Sequence, residues 1–97
     1  MIQKREKKIV LITGASSGLG FALSNVLISD NFHVIGVSKN VQGLEDLKKS
    51  LLKNSNPSFD LIMTDLKDQK KVKDLSELIL KRWGYINILI HCAAQSS

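Results

Sequence analysis

The sequence predicts an α/β fold, a doubly wound parallel sheet with helices on its faces. Two observations carry that expectation. Short apolar runs alternate with amphipathic stretches in the order β-α-β-α-β-α-β, and such alternation argues a parallel sheet with helical crossovers. The first strand-to-helix junction is rich in glycine and serine, Thr13-Gly14-Ala15-Ser16-Ser17-Gly18-Leu19-Gly20. Tight turns of this composition let a strand pass directly into a helix.

Ile9 to Ile12 is a continuous run of β-branched residues and leucine, the pattern of a strand buried on both faces. From Leu19 the period changes. Leu19, Ala22, Leu23, Val26 and Leu27 recur at helical spacing and predict one apolar face, with Asp30-Asn31 as the stop. Val34 to Val37 reads as a second strand. Gly43 precedes a helical stretch whose expected face is Leu44, Leu47, Leu51 and Leu52. Asn54 to Ser58 holds the only proline and reads as a loop. Phe59 to Thr64 is a third strand. Asp68 is a plausible N-cap for a helix reaching Trp83, with Val72, Leu75, Ile79 and Trp83 inward and Gly84 as its C-cap. Ile86 to Ala93 completes the set as a fourth strand, expected to be buried on both faces.

Composition narrows the class. A chain of 97 residues holds one small domain with a marginal core. Its 43% hydrophobic and 24% charged residues are those of a globular chain rather than a disordered one. No apolar run is long enough for a transmembrane helix or a signal peptide. A single cysteine, Cys92, excludes an internal disulfide and a zinc cluster, so the expected compartment is the cytoplasm. The net charge is +5, and the excess of bases is concentrated before the first strand. No basic stripe interleaves with aromatics, so a lysine-rich solvated surface is expected, not a nucleic-acid site.

The glycine-serine junction carries the chemistry. Glycines let the backbone approach a pyrophosphate, and the N–H groups of the following helix supply partial positive charge. Ser16 and Ser17 would either cap the helix or bond a phosphate or ribose oxygen. The other reading is an ordinary tight turn with serine caps. A buried strand before the junction and an amphipathic helix after it favour the nucleotide reading. No Gly-Lys-Ser/Thr follows, which excludes a P-loop.

At this point the sequence resembles the short-chain dehydrogenase/reductase family, from about residue 8 to the end. Thr-Gly-x-x-x-Gly-x-Gly after the first strand is the first element of the resemblance. Asp65-Leu66 is similar to the family's adenine-contacting Asp-Val/Leu pair. Trp83 to Ile90 is similar to its Phe-Gly-x-Ile-Asp-x-Leu-Val lead into strand four, and His91-Cys92-Ala93-Ala94 stands in the place of Asn-Asn-Ala-Gly. The resemblance implies a Rossmann-type fold binding a nicotinamide dinucleotide. On it, Gly14, Ser16, Ser17, Gly18, Leu19, Gly20, Ser38, Lys39, Asn40, Asp65, Leu66, Cys92 and Ala93 would contact the cofactor. Gly20 is expected to serve helix–strand packing. His91 reads as a satisfied histidine at a strand end, with a proton-transfer role as the alternative. Cys92 reads as a small core residue.

The acid that would bond a ribose 2′-OH is missing at the end of strand two, where Ser38-Lys39-Asn40 stands. NADP is therefore expected over NAD, with Lys39 facing the 2′-phosphate. The family's catalytic Tyr-x-x-x-Lys has no counterpart, because Tyr85 is followed four positions later by Leu89. No catalytic residue is assigned. The chain reads as residues 1–97 of a partial cofactor-binding domain, truncated after the fourth strand and without the catalytic half. A non-catalytic nucleotide-binding module is the alternative, and a small basic nucleic-acid binder is a third reading. The open apolar edge at the fourth strand implies self-association.

Overall fold

The computed structural model describes residues 7–92. The elements are β1 (Ile9–Thr13), α1 (Gly18–Ser29), β2 (His33–Ser38), α2 (Val41–Leu51), β3 (Phe59–Met63), α3 (Gln69–Arg82) and β4 (Ile88–His91). All four strands are parallel in the order β3-β2-β1-β4, which is the α/β architecture expected. Pairing is in register from Ile9↔His33 to Thr13↔Val37 on one side of β1, and from Val10↔Ile88 to Thr13↔His91 on the other.

The strand period of two sorts the core into two layers. Val10, Ile12 and Val34 face α1 and α2, where they meet Ile28, Leu44, Leu47 and Leu51. Ile9, Leu11, Ile35 and Val37 face α3, where they meet Leu75 and Ile79. β1 is therefore buried along its whole length, as its unbroken apolar run requires.

Four expectations about faces and bounds need correction. α1 does not bury the Leu19-Ala22-Val26 stripe. Its buried row is Gly20, Ser24 and Ile28, while Leu19 and Val26 are 65% and 55% exposed. Small residues on the inner row let the helix sit close to the sheet, and Ser24 satisfies its own hydroxyl by donating to the Gly20 carbonyl at 2.7 Å. Leu23 and Leu27 flank that row, half-buried.

α2 begins at Val41, with Asn40 as its N-cap, so Gly43 lies inside it. Leu52 is the exposed C-cap and not part of its face. In α3, Asp68 caps as expected, accepting from the N–H groups of Lys70 and Lys71. Val72 points outward, Trp83 is itself the C-cap, and Gly84 follows it with φ 82°. β4 spans four residues, with Ile88, Leu89 and His91 exposed and Ile90 half-buried against the α1-side cluster, because it is an edge strand paired only with β1 among the described residues. Ala93 and Ala94 lie outside the described residues.

At the N-terminal end of the strands a polar cluster joins β2, β3 and α3. His33 Nδ1 lies 2.6 Å from Ser58 Oγ, and its Nε2 lies 3.1 Å from Asp60 Oδ2. Arg82 approaches the other Asp60 oxygen at 3.5 Å and stacks over the Trp83 ring at 4.7 Å. A neutral imidazole with its proton on Nε2 satisfies both contacts. Burial holds the His33 pKa below its ordinary 6.5, outweighing the opposing pull of Asp60, and the charges of Lys7 and Arg82 add to the lowering.

The unfolded chain therefore binds this proton more readily than the folded one. Stability from His33 is fully present above pH 6.5 and declines as pH falls below it toward the folded pKa. Urea unfolding at pH 7.5 and 5.5 is expected to show a smaller acid loss in His33→Gln than in the wild type. An equal loss in both proteins contradicts the assignment.

Candidate functional site

The crevice lies at the carboxyl ends of the strands, where the chain leaves β1 for α1, β2 for α2 and β3 for α3. This is where ligands bind in open α/β sheets. A cavity of about 510 Å³ opens there, walled by residues from all three junctions and from the end of β4.

The β1–α1 junction is held by its own backbone. Ala15 N–H donates to the Val37 carbonyl at 3.0 Å, which ties the turn to β2. Ser17 is the N-cap of α1. Its hydroxyl donates to the Gly14 carbonyl at 2.7 Å and accepts from Gly20 N–H at 3.2 Å. Ser16 pairs with Ser38 through their hydroxyls at 2.7 Å. Ser38 Oγ also accepts from Asn40 N–H at 3.0 Å, and Asn40 Oδ1 caps α2 by accepting from Gly43 N–H. The protein thus uses these side chains to shape the crevice.

What the junction leaves open is backbone. The N–H groups of Gly18 and Leu19 have no partner among the described residues, as expected of a helix's first turn. α1 carries no acid in that turn to compete for them. Two unpaired donors at a helix N-terminus, with no carboxylate beside them, suit an anion such as a pyrophosphate.

The three glycines do different work. Gly14 has φ 66°, and a Cβ there would lie 2.0 Å from the Cys92 carbonyl oxygen. Its bareness lets the ends of β1 and β4 touch, so Gly14 is crowded by protein on that side. A Cβ at Gly20 would lie 2.2 Å from the Gly14 carbonyl oxygen, which makes it the packing glycine expected. A Cβ at Gly18 would meet nothing within 4 Å, so the space beside it is open to a ligand.

Of the residues singled out from the sequence, Gly14, Ser16, Ser17, Ser38, Lys39, Asn40, Asp65, Leu66 and Cys92 line this one cavity. Gly18 and Leu19 open α1 directly after the lining Ser17 but do not themselves wall the cavity, Gly20 sits beneath the turn, and Ala93 is outside the described residues. Asp65 Oδ1 accepts from Lys67 N–H at 3.0 Å, so one carboxylate oxygen shapes the loop after β3. Thr13, Thr64, Lys67 and His91 also line the cavity. Thr13 and His91 end adjacent strands, and their place in the wall follows from a register the sequence does not display. Their side chains meet, Thr13 Oγ1 to His91 Nδ1, at 2.5 Å. Cys92 is buried against the α1 side of the core while its edge reaches the crevice. Among the described residues no group of side chains is arranged to hold a metal ion, and no helix is long and apolar enough to cross a membrane.

A family model described as short chain dehydrogenase matches residues 8–97. The 3-oxoacyl-acyl-carrier-protein reductase of Buchnera aphidicola is 37% identical over 94 residues, covering 97% of this chain and 37% of that protein. Among solved structures, an NADPH-dependent reductase involved in bacilysin biosynthesis superposes with TM-score 0.84 at 25% identity, over 95% of this chain and 37% of its own. The L-sorbose reductase of Gluconobacter frateurii, complexed with NADPH and L-sorbose, gives 0.82 at 25% identity, over 94% of this chain and 35% of its own. The chain thus spans a little over a third of the length of these relatives.

The glycine assignments separate on stability. Gly14→Ala is expected to lose more than about 2 kcal/mol, from positive φ together with the collision with Cys92. Gly18→Ala is expected to stay within about 1 kcal/mol of the wild type. Urea midpoints of the two variants check this, and equal losses contradict it.

Proposed function

The chain belongs to the short-chain dehydrogenase family, and from that premise we propose that it forms the dinucleotide-binding portion of an NADP(H)-dependent oxidoreductase. The single observation that carries this reading is the crevice itself. One cavity joins an unpaired helix N-terminus, a basic residue after β2 and a carboxylate after β3. Those three features suit the pyrophosphate, the 2′-phosphate and the adenine of such a cofactor, in that order along the strand ends.

Bound there, the cofactor supplies hydride transfer to or from a carbonyl or alcohol. This chain's residues contribute binding and orientation. Gly18 and Leu19 donate backbone N–H groups to the pyrophosphate. Ser38, buried and paired with Ser16, replaces the acid that would repel a 2′-phosphate, and the exposed Lys39 beside it supplies the opposite charge. Asp65 and Leu66 border the adenine, and Cys92 the ribose. Two relatives named above are described with NADPH, which supports the choice of cofactor.

The catalytic Ser and Tyr-x-x-x-Lys of this family are supplied outside residues 1–97 in this reading, which makes the chain a partial domain. The half-bare β4, with Leu89 60% exposed, supports self-association of the chain when it stands alone. The single cysteine supports a cytoplasmic setting.

Fluorescence titration with NADPH and NADH tests the assignment. NADPH is expected to bind more tightly, and Lys39→Asp to reduce the NADPH/NADH affinity ratio by roughly tenfold, since a cation is exchanged for an anion beside the phosphate. An unchanged ratio removes Lys39 from the site, and absence of binding to either dinucleotide overturns the function.

A further inference from the structure

We infer that His91 is a cofactor-facing residue whose protonation tightens dinucleotide binding; this rests on the crevice being the dinucleotide site. The register Thr13↔His91 places the two residues side by side at the carboxyl ends of β1 and β4, and their side chains meet. The contact to Thr13 Oγ1 fixes the imidazole through Nδ1. The residue is exposed and lines the cavity next to Cys92.

The Thr13 hydroxyl serves both charge states of the ring. It donates to Nδ1 when the imidazole is neutral, and it accepts from Nδ1–H when the ring is an imidazolium. Gaining a proton therefore costs no hydrogen bond, and in both states Nε2 carries an N–H away from Thr13. The charged and titratable groups sharing the cavity are Lys39 after β2, Asp65 and Lys67 after β3, and the Cys92 thiol. No carboxylate pairs with His91 among the described residues. An imidazolium here has no internal counter-ion, and an anionic ligand in the crevice supplies one.

The contrast with His33 is informative. That ring sits at the opposite end of the strands, held by Asp60 and Ser58, and takes no part in the crevice.

The test is a fluorescence titration with NADH between pH 8.5 and 6. NADH is used because it lacks the 2′-phosphate, a group that titrates in the same range. In wild type the Kd is expected to fall by about two- to fivefold toward pH 6, the size of one partly exposed charge interaction. His91→Asn is expected to bind with no such slope, while His33→Gln keeps it. An equal slope in His91→Asn, or weakening toward acid in the wild type, overturns the inference and leaves the cofactor assignment standing. Failure of the wild type to bind NADH or NADPH at any pH overturns both. If His91→Asn does not fold, NMR titration of the His91 ring in wild-type protein decides. Saturating NADH must raise its midpoint, and an unmoved midpoint refutes the proposal.

Discussion

The structure depends on one close approach, the passage of β1 into α1 over the end of β4. Gly14 abuts the Cys92 carbonyl on one side and carries the Gly20 backbone against its own carbonyl on the other. No side chain larger than hydrogen fits either position. Because both are bare, α1 lies low on the sheet, and its N-terminus opens at the crevice rather than above it. The same packing explains why the inner row of α1 is Gly20, Ser24 and Ile28 instead of a leucine stripe. The seating of α1 and the position of its open N–H groups follow from that contact.

The two ends of the parallel sheet then acquire opposite characters. At the carboxyl ends, short polar side chains are spent on caps and hydroxyl pairs, leaving backbone donors and lysines facing a cavity. At the amino ends, His33, Asp60, Arg82 and Trp83 lock β2, β3 and α3 together. Asp60 and Arg82 are only partly buried, so the lock owes more to the half-buried imidazole and indole than to the ion pair itself. Among the described residues, this division leaves the crevice without a side-chain charge pair that an anionic ligand would have to break.

Much of this was legible from the residues. The unbroken apolar run at Ile9 announces a doubly buried strand, and the cap at Asp68 and the loop around Pro57 mark their boundaries correctly. The glycine-serine junction and the Ser38-Lys39-Asn40 segment fall in the same cavity because both leave neighbouring parallel strands at the same end. The face of α1 was misread because hydropathy ranks leucine and valine above glycine and serine, whereas close helix–sheet approach selects for size. Val72 was misplaced for a related reason, since a helix covering only part of a sheet leaves part of its apolar arc outside. The His33 cluster and the Thr13–His91 contact join residues 27 and 78 positions apart. Such pairs exist only once the register is set, and no local pattern displays them.

The central claim is that the strand-end crevice, and no other surface, receives a nicotinamide dinucleotide. Backbone amide NMR of the chain during NADPH addition tests it most directly. The account predicts shifts at Gly14 to Leu19, Ser38 to Asn40 and Asp65 to Lys67, with the His33–Trp83 cluster undisturbed. Shifts centred on the groove between α2 and β3, at Val41, Glu45 and Lys48, or no shifts at the Gly18 and Leu19 amides, would contradict it.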